Sequence, residues 1–317
     1  MAEPATNEGV VSSVTNAVKE GGKPFLALAL VGAMIVAFAL AVALYYIITR
    51  AVSSTKTYVI PQSRTPILCT TTSVLEGKNI PSNANGKRQT ISFWIYINDL
   101  KTNNGTIRRV FARGPKDGFE AHGPFVALND KMNKLHVIFA TTDVSQYTLA
   151  GTNVANSSAS NAEKVAFLSA VHGITIDYVP MQRWVHIAVV VNEESSSGIV
   201  MAYVDGELVK TVTSNTIQDD LKLGTTTSGG VQVDNIIPNV KLEIQNIDMG
   251  LKGDVVVGGD PSSIPGFSGL VCQIGFTNSD LNADDIYKMY IQGPITGMLS
   301  KLGLGSYGLQ SPIYRIS

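Results

Sequence analysis

The side chains best suited to chemistry in this 317-residue chain are four histidines, two cysteines and three acidic pairs. His122, His136, His172 and His186 share no H-x-x-x-H or H-E-x-x-H spacing, and no cysteine pair lies near them. The sequence spacing of a zinc site is therefore missing. Calcium takes oxygen ligands with little fixed spacing outside dedicated loops, and the chain has many loop Asp and Asn residues. No cofactor is expected; calcium stays open, without a named ligand set. The acidic pairs are Glu193-Glu194, Asp219-Asp220 and Asp284-Asp285. Glycosidases need two carboxylates flanking one sugar bond, whereas adjacent strand residues point to opposite faces. These acids read as solvated turn or capping groups. No glycine-rich phosphate loop leads from a strand into a helix, and no Ser-centred nucleophile elbow occurs. Trp94 and Trp184 are the rings on which a sugar could stack, but both sit inside strand patterns and read as packing residues. His186 alternates with the apolar set of its strand and reads as a surface or boundary residue. Asn104-Gly105-Thr106 and Asn156-Ser157-Ser158 make Asn104 and Asn156 glycosylation acceptors if the body reaches a secretory lumen. The expectation is a protein without catalytic residues.

The elements that would carry these groups fall into a membrane segment and a β-rich body. The chain is 44% hydrophobic and only 15% charged, with a formal charge of −1, against about 25% charged residues in ordinary soluble proteins. A balanced charge without a basic stripe argues against nucleic acid as a partner. Residues 24–49, "PFLALALVGAMIVAFALAVALYYIIT", carry no charge and lie between Lys23 and Arg50. As a helix this run covers the roughly 30 Å hydrocarbon core of a bilayer. Tyr45 and Tyr46 suit the interface at one end. A cleaved signal peptide would have a shorter apolar core and a small-residue cleavage site, so an uncleaved single-pass anchor is expected. Ala29, Ala33, Ala37 and Ala41 recur every four residues and would form a smooth helix-packing stripe. Flanking charges do not set the orientation. Residues 1–23 form a polar tail, and residues 50–66, with Pro61 and Pro66, a stalk.

From residue 67 the patterns are β. "QTISFWIYIND" (89–99) alternates, placing Ile91, Phe93, Ile95 and Ile97 on one face and Trp94 and Tyr96 on the other. "RWVHIAVVVNE" is another strand. "GIVMAYVDGELVKTVT" is a hairpin whose Asp205-Gly206 supplies a type I′ turn. In the body only "NADDIYKMYIQG" looks helical, with Asn282 as N-cap, Asp284 and Asp285 in the first turn, and Gly293-Pro294 as the stop. Many strands with one late helix indicate an antiparallel β-sandwich.

Three stretches then follow a familiar order. "ISFWIYIND", "RWVHIAVVVN…GIVMAYVDGELV" and "DVVVGGD…GFSGLVCQIGFTNSDLNADDIYKMYIQGP" resemble successive units of the concanavalin A-like lectin/glucanase superfamily, in its laminin-G-like branch, over about residues 90–294. The resemblance implies a jelly-roll-like sandwich over residues 67–294 and leaves activity open. The E-x-D-x-x-E pattern of that superfamily's glucanases is missing. In this topology first and last strands are often neighbours, so the resemblance makes a Cys69–Cys272 bridge conceivable in an oxidising compartment; a cytosol-facing domain would keep buried thiols. Two long polar stretches, residues 142–164 and 214–250, and an apolar, glycine-rich arm, residues 295–317, exceed a compact member of the branch and are the expected sites of partner contacts.

The anchor-plus-sandwich architecture is similar to membrane-anchored minor capsid proteins of large DNA viruses. The leading expectation is thus a non-enzymatic docking protein at the interface of a virion membrane and its shell. It would have the bilayer as partner through residues 24–49, and capsid or coat proteins as partners of its body. The alternative is a membrane-anchored glycan-binding protein, with a glycan-active hydrolase behind both.

Overall fold

The alternation in residues 89–99 builds the centre of the body. In the computed structural model, residues 31–45, 55–82, 87–114, 123–140, 148–149, 152–153, 159–194, 197–214, 216–218, 220–238, 240–241, 247–248, 252–259 and 264–294 are described. Strand β4 (Lys87–Asp99) buries Ile91, Phe93, Ile95 and Ile97 in the main core and turns Trp94 to the opposite face. It pairs on one side with β11 (Trp184–Glu194) and on the other with β19 (Ser268–Thr277), so that Trp94 stands opposite both His186 and Cys272. The hairpin of β12 (Ser197–Val204) and β13 (Glu207–Thr213) extends one edge. Its Asp205 and Gly206 have φ of 52° and 84°, the left-handed pair that a type I′ turn requires. The other edge is shared by β1 (Thr57–Ile60) and β2 (Ile67–Leu68), each paired with β19. Among the described residues this makes a seven-stranded sheet, ordered β1-β19-β4-β11-β12-β13 with β2 beside β19.

A second, six-stranded sheet packs against it. Its order is β10 (Gly173–Ile176), β7 (Leu135–Ile138), β6 (Phe125–Leu128), β5 (Arg108–Arg113), β18 (Val255–Val257) and β3 (Ser73–Leu75), with antiparallel neighbours throughout. Inward side chains of both sheets form one core, in which the Phe93 and Phe111 rings meet edge to face at 5.0 Å. Each such fully buried ring contributes about 1.5–3 kcal/mol of burial free energy. The expected antiparallel sandwich is present.

Two of the three described helices lie on outer faces of the sheets. Residues 31–45 form α1, which belongs to the first of two compact units, Met1–Ser54 and Thr55–Ser317. Helix α2 (Asn161–Val171) lays Val165, Phe167, Leu168 and Val171 on the outer face of the second sheet. Helix α3 (Ala283–Gln292) covers part of the first sheet, with Ile286 packed on Ala188, Val190 and Tyr203. Its N-cap is Asn282, whose Oδ1 accepts from the Asp285 N–H at 2.8 Å, as expected.

Several expectations need correction. Residues 50–66 are not all stalk: Thr57–Ile60 is an edge strand, where the proline that follows costs no ladder hydrogen bond. The first polar stretch ends in α2, which a single-helix reading of the body missed. The second stretch contains the hairpin β15 (Leu221–Ser228) and β16 (Val231–Ile237), turned by Gly229 and Gly230 with φ of 61° and 83°. Leu223 and Ile237 of this hairpin join the α2 cluster. Two minor pairs complete the strands: β8 (Thr148–Leu149) with β9 (Thr152–Asn153), and β14 (Ile217–Gln218) with β17 (Val240–Lys241).

The Cys69–Cys272 bridge is not formed, and both residues are buried free thiols. With Leu68 opposite Leu270, the Cys69 N–H reaches the Gly269 carbonyl, three residues from Cys272. Cys69 belongs to the inter-sheet core, whereas Cys272 lies on the outer face and donates to the Pro294 carbonyl. Opposite faces of one sheet cannot be bridged within the reach of a disulfide.

Among the described residues no helix is long and apolar enough to cross a membrane. The described part of α1, residues 31–45, covers about 22 Å. Every residue of α1 is exposed, including Ile35, Phe38 and Leu40. Residues 24–30 and 46–49 of the expected span, the tail 1–23 and the arm 295–317 lie outside the described residues, as do Ala29 and Asn156. Ala33, Ala37 and Ala41 lie on α1.

Candidate ligand-binding site

Four segments distant in sequence converge at one end of the sandwich. They are the β4–β5 loop, the β6–β7 turn, the N-terminus of α2 and the loop before β19. Between them lies a cleft of about 570 Å³. Among the described residues its exposed polar side chains are Asn104, Thr106, Ser160 and Asn161, and its carboxylate is Asp130.

The walls are tied by directed hydrogen bonds. Asn103, at φ 56°, donates through Nδ2 to the Gly266 carbonyl at 2.9 Å, joining the β4–β5 loop to the loop before β19. The Gly105 N–H donates to the Asp130 carbonyl at 2.9 Å, joining that loop to the β6–β7 turn. Buried Arg108 donates to the carbonyls of Leu100 (3.2 Å), Asn129 and Met132 (3.3 Å), holding the same two segments from beneath. Burial lowers its pKa, opposed by Asp130 and Asp99. Arg109 donates through Nε to the Gly258 carbonyl at 2.6 Å, and its N–H bonds the Pro265 carbonyl at 2.8 Å. At the α2 terminus Ser160 and Glu163 form a capping box. Spending buried arginines on backbone carbonyls fixes the loops before any ligand arrives, which reduces the ordering cost of binding.

Amides, hydroxyls and a single carboxylate can exchange hydrogen bonds with a neutral polyhydroxylated ligand. Among the described residues of the cleft lining Asp130 is the one carboxylate, whereas a glycosidase flanks its sugar bond with two. Asn104 stands on the cleft rim, so a glycan attached to it would occupy the entrance.

The remaining candidates are scattered. His136 is buried, with Nδ1 at 2.9 Å from Ser169 Oγ and 3.0 Å from Thr175 Oγ1. Burial, aided by Lys134, lowers its pKa to about 4. Ser169 also donates to the Ala166 carbonyl and is fully buried, so this Ser–His contact reads as a satisfied polar core under α2. His172 is the C-cap residue of α2, and His122 lies outside the described residues. His186 corrects its expectation: it is buried, not a boundary residue, because α3 brings Tyr290 over it and Trp94. Trp94 is a packing residue, though on the outer face, and Trp184 is half-buried against Tyr96 at 5.7 Å. No group of three His, Cys, Asp or Glu side chains among the described residues is placed to hold a metal. The cleft itself escaped sequence reading. Its legible traces were Asn104-Gly105-Thr106 and the Ser160…Glu163 capping-box spacing.

No protein-family model and no curated protein sequence matches the chain. Among solved structures it is similar to the binding domain of botulinum neurotoxin serotype D, at 14% identity and a TM-score of 0.37. That match covers 74% of this chain and 46% of the other. It is also similar to a structure of botulinum neurotoxin type C, described as entering cells in dependence on two ganglioside molecules. There the identity is 14% and the TM-score 0.40, over 75% of this chain and 45% of the other. The chain thus spans less than half the length of either. Likeness at these scores carries neither fold nor ligand across.

Proposed function

We propose that the chain is a non-enzymatic glycan-binding module tethered to a membrane by its N-terminal apolar segment. The observation that carries the reading is the cleft of Asn104, Thr106, Asp130 and Asn161, whose walls are fixed by Asn103, Arg108 and Arg109. Its described lining combines neutral amides and hydroxyls with one carboxylate and the apolar Ile107, Ile264 and Pro265, which suits the hydroxyls and C–H faces of a sugar. It sits at the loop end of a rigid sandwich, where binding groups are commonly placed. The tether rests on the uncharged run of residues 24–49 and on the exposed apolar side chains of α1. The test is a glycan array probed with the full-length chain in detergent micelles, beside Asn104→Ala and Asp130→Asn variants. Specific binding that weakens at least tenfold in both variants supports the reading. An empty array, or binding indifferent to both substitutions, overturns it.

A second reading is the docking block that ties a membrane to a protein shell. It draws on the β15–β16 hairpin, which exposes Val231, Val233 and Ile236. Exposed apolar residues on a two-stranded edge suit a protein partner. Co-purification with a coat protein, lost when Val231 and Val233 become serine, would favour this role over the glycan.

A further inference from the structure

A second cavity, of about 290 Å³, opens on the outer face of the first sheet beside α3. Its polar lining includes Arg64, Ser92, His186, Gln273 and Gln292, with Trp94 as the aromatic wall. Among the described residues no carboxylate lines it, and none pairs with the Arg64 guanidinium. The described lining is therefore net positive, in contrast to that of the cleft at the sandwich end.

Two observations mark it as built for a ligand. His186 is 2% exposed, and its Nδ1 is buried with no hydrogen-bond partner. Native structures pair nearly all such atoms, so an orphan on a residue that lines the cavity marks an unmet hydrogen-bonding capacity beside it. Burial alone holds its pKa down at about 4, so at neutral pH the ring presents one donor and one acceptor. The second observation is Gln273, at φ 50° where the register of β19 against β4 shifts. A non-glycine residue in this region is strained, and such strain collects at functional positions. Its Nε2 is committed to the carbonyls of Gly293 (2.9 Å) and Pro294 (2.6 Å), which secures the end of α3 beside the cavity.

We infer that this cavity binds a small carboxylate-bearing ligand of monosaccharide size, an acidic sugar, with Arg64 taking the carboxylate and Ser92, His186 and Gln292 its hydroxyls. A guanidinium meets a carboxylate in a charge-assisted pair, and uncharged donors and acceptors around it select the hydroxylated part. This goes beyond the neutral-glycan reading of the cleft and does not depend on it. Because Trp94 forms part of the wall, its emission reports occupancy.

The full-length chain in detergent, carrying Trp184→Phe to leave Trp94 as the sole indole, is titrated with glucuronate, glucose and acetate. Glucuronate should change the emission saturably, with glucose and acetate each at least tenfold weaker. Arg64→Gln should weaken glucuronate about tenfold without lowering the thermal midpoint. Gln292→Ala, on the exposed last turn of α3, should weaken it several-fold and serves if Arg64→Gln does not fold. Asp130→Asn, in the cleft, should leave glucuronate binding unchanged. The inference is overturned by no saturable response, by glucose binding as tightly as glucuronate, by acetate matching it, or by indifference to Arg64→Gln and Gln292→Ala.

Discussion

Lowering the pH from 7 to 5 should remove about 4 kcal/mol from the stability of the sandwich through two buried imidazoles. His136 and His186 have folded pKa values of about 4, against an ordinary value of 6.5. In both, burial disfavours the charged ring, and at His136 Lys134 and Lys210 add to it while Asp177 opposes. The unfolded chain takes up these protons as the pH falls through 6.5, and the folded chain does not until about 4. The stabilisation is therefore intact above 6.5 and is lost between 6.5 and 4. Over the interval from 6.5 to 5, each ring contributes about 2 kcal/mol at 1.36 kcal/mol per pH unit. Urea unfolding at pH 7 and pH 5 measures the sum, and replacing His136 by Asn or His186 by Gln should each remove about half of the difference. Proton NMR titration of the imidazole C2–H signals checks the cause directly. Folded-state midpoints near 6.5, or a double variant that loses as much stability as the native chain, would refute the reasoning.

Other outcomes follow from single contacts. Gly266→Ala would place a Cβ 1.7 Å from the Cys69 carbonyl oxygen and 2.8 Å from the Gly259 nitrogen, so backbone must move; a loss of about 3 kcal/mol or more is expected in thermal unfolding. Asn282→Ala removes the N-cap of α3 and should cost about 1 kcal/mol. Burial pushes the Cys272 thiol up to about 12 and the Cys69 thiol higher still, so neither should react with a thiol reagent until denaturant is added. Fast labelling of either in the native chain would contradict its placement.

Much of the scaffold was legible in sequence because its signals are local. The alternation in residues 89–99 names the buried face of β4, Asp205-Gly206 names the hairpin, and Asn282 with Gly293 brackets α3. Helix α2 was equally local, since Ser160 and Glu163 spell a capping box ahead of Val165, Phe167, Leu168 and Val171. The polar run before it reads as a loop and masks that signal. The cleft was not legible: Asn104, Asp130, Asn161 and Pro265 come from four connections, and no spacing rule links them.

The outward parity of Trp94 and His186 is set by the two-residue period of their strands, and composition alone argues for the apolar N-terminal run and the absence of a basic stripe. Period fixes the side of a sheet but not what lies over that side. Only the tertiary structure lays α3 across Trp94 and His186, which turns a nominal surface histidine into a buried, unpartnered one. Only strand register sends Cys69 inward and Cys272 outward, three residues out of step. The reason is that alternation and capping act over a few residues, whereas covering a face and closing a cleft depend on contacts between segments tens to hundreds of residues apart.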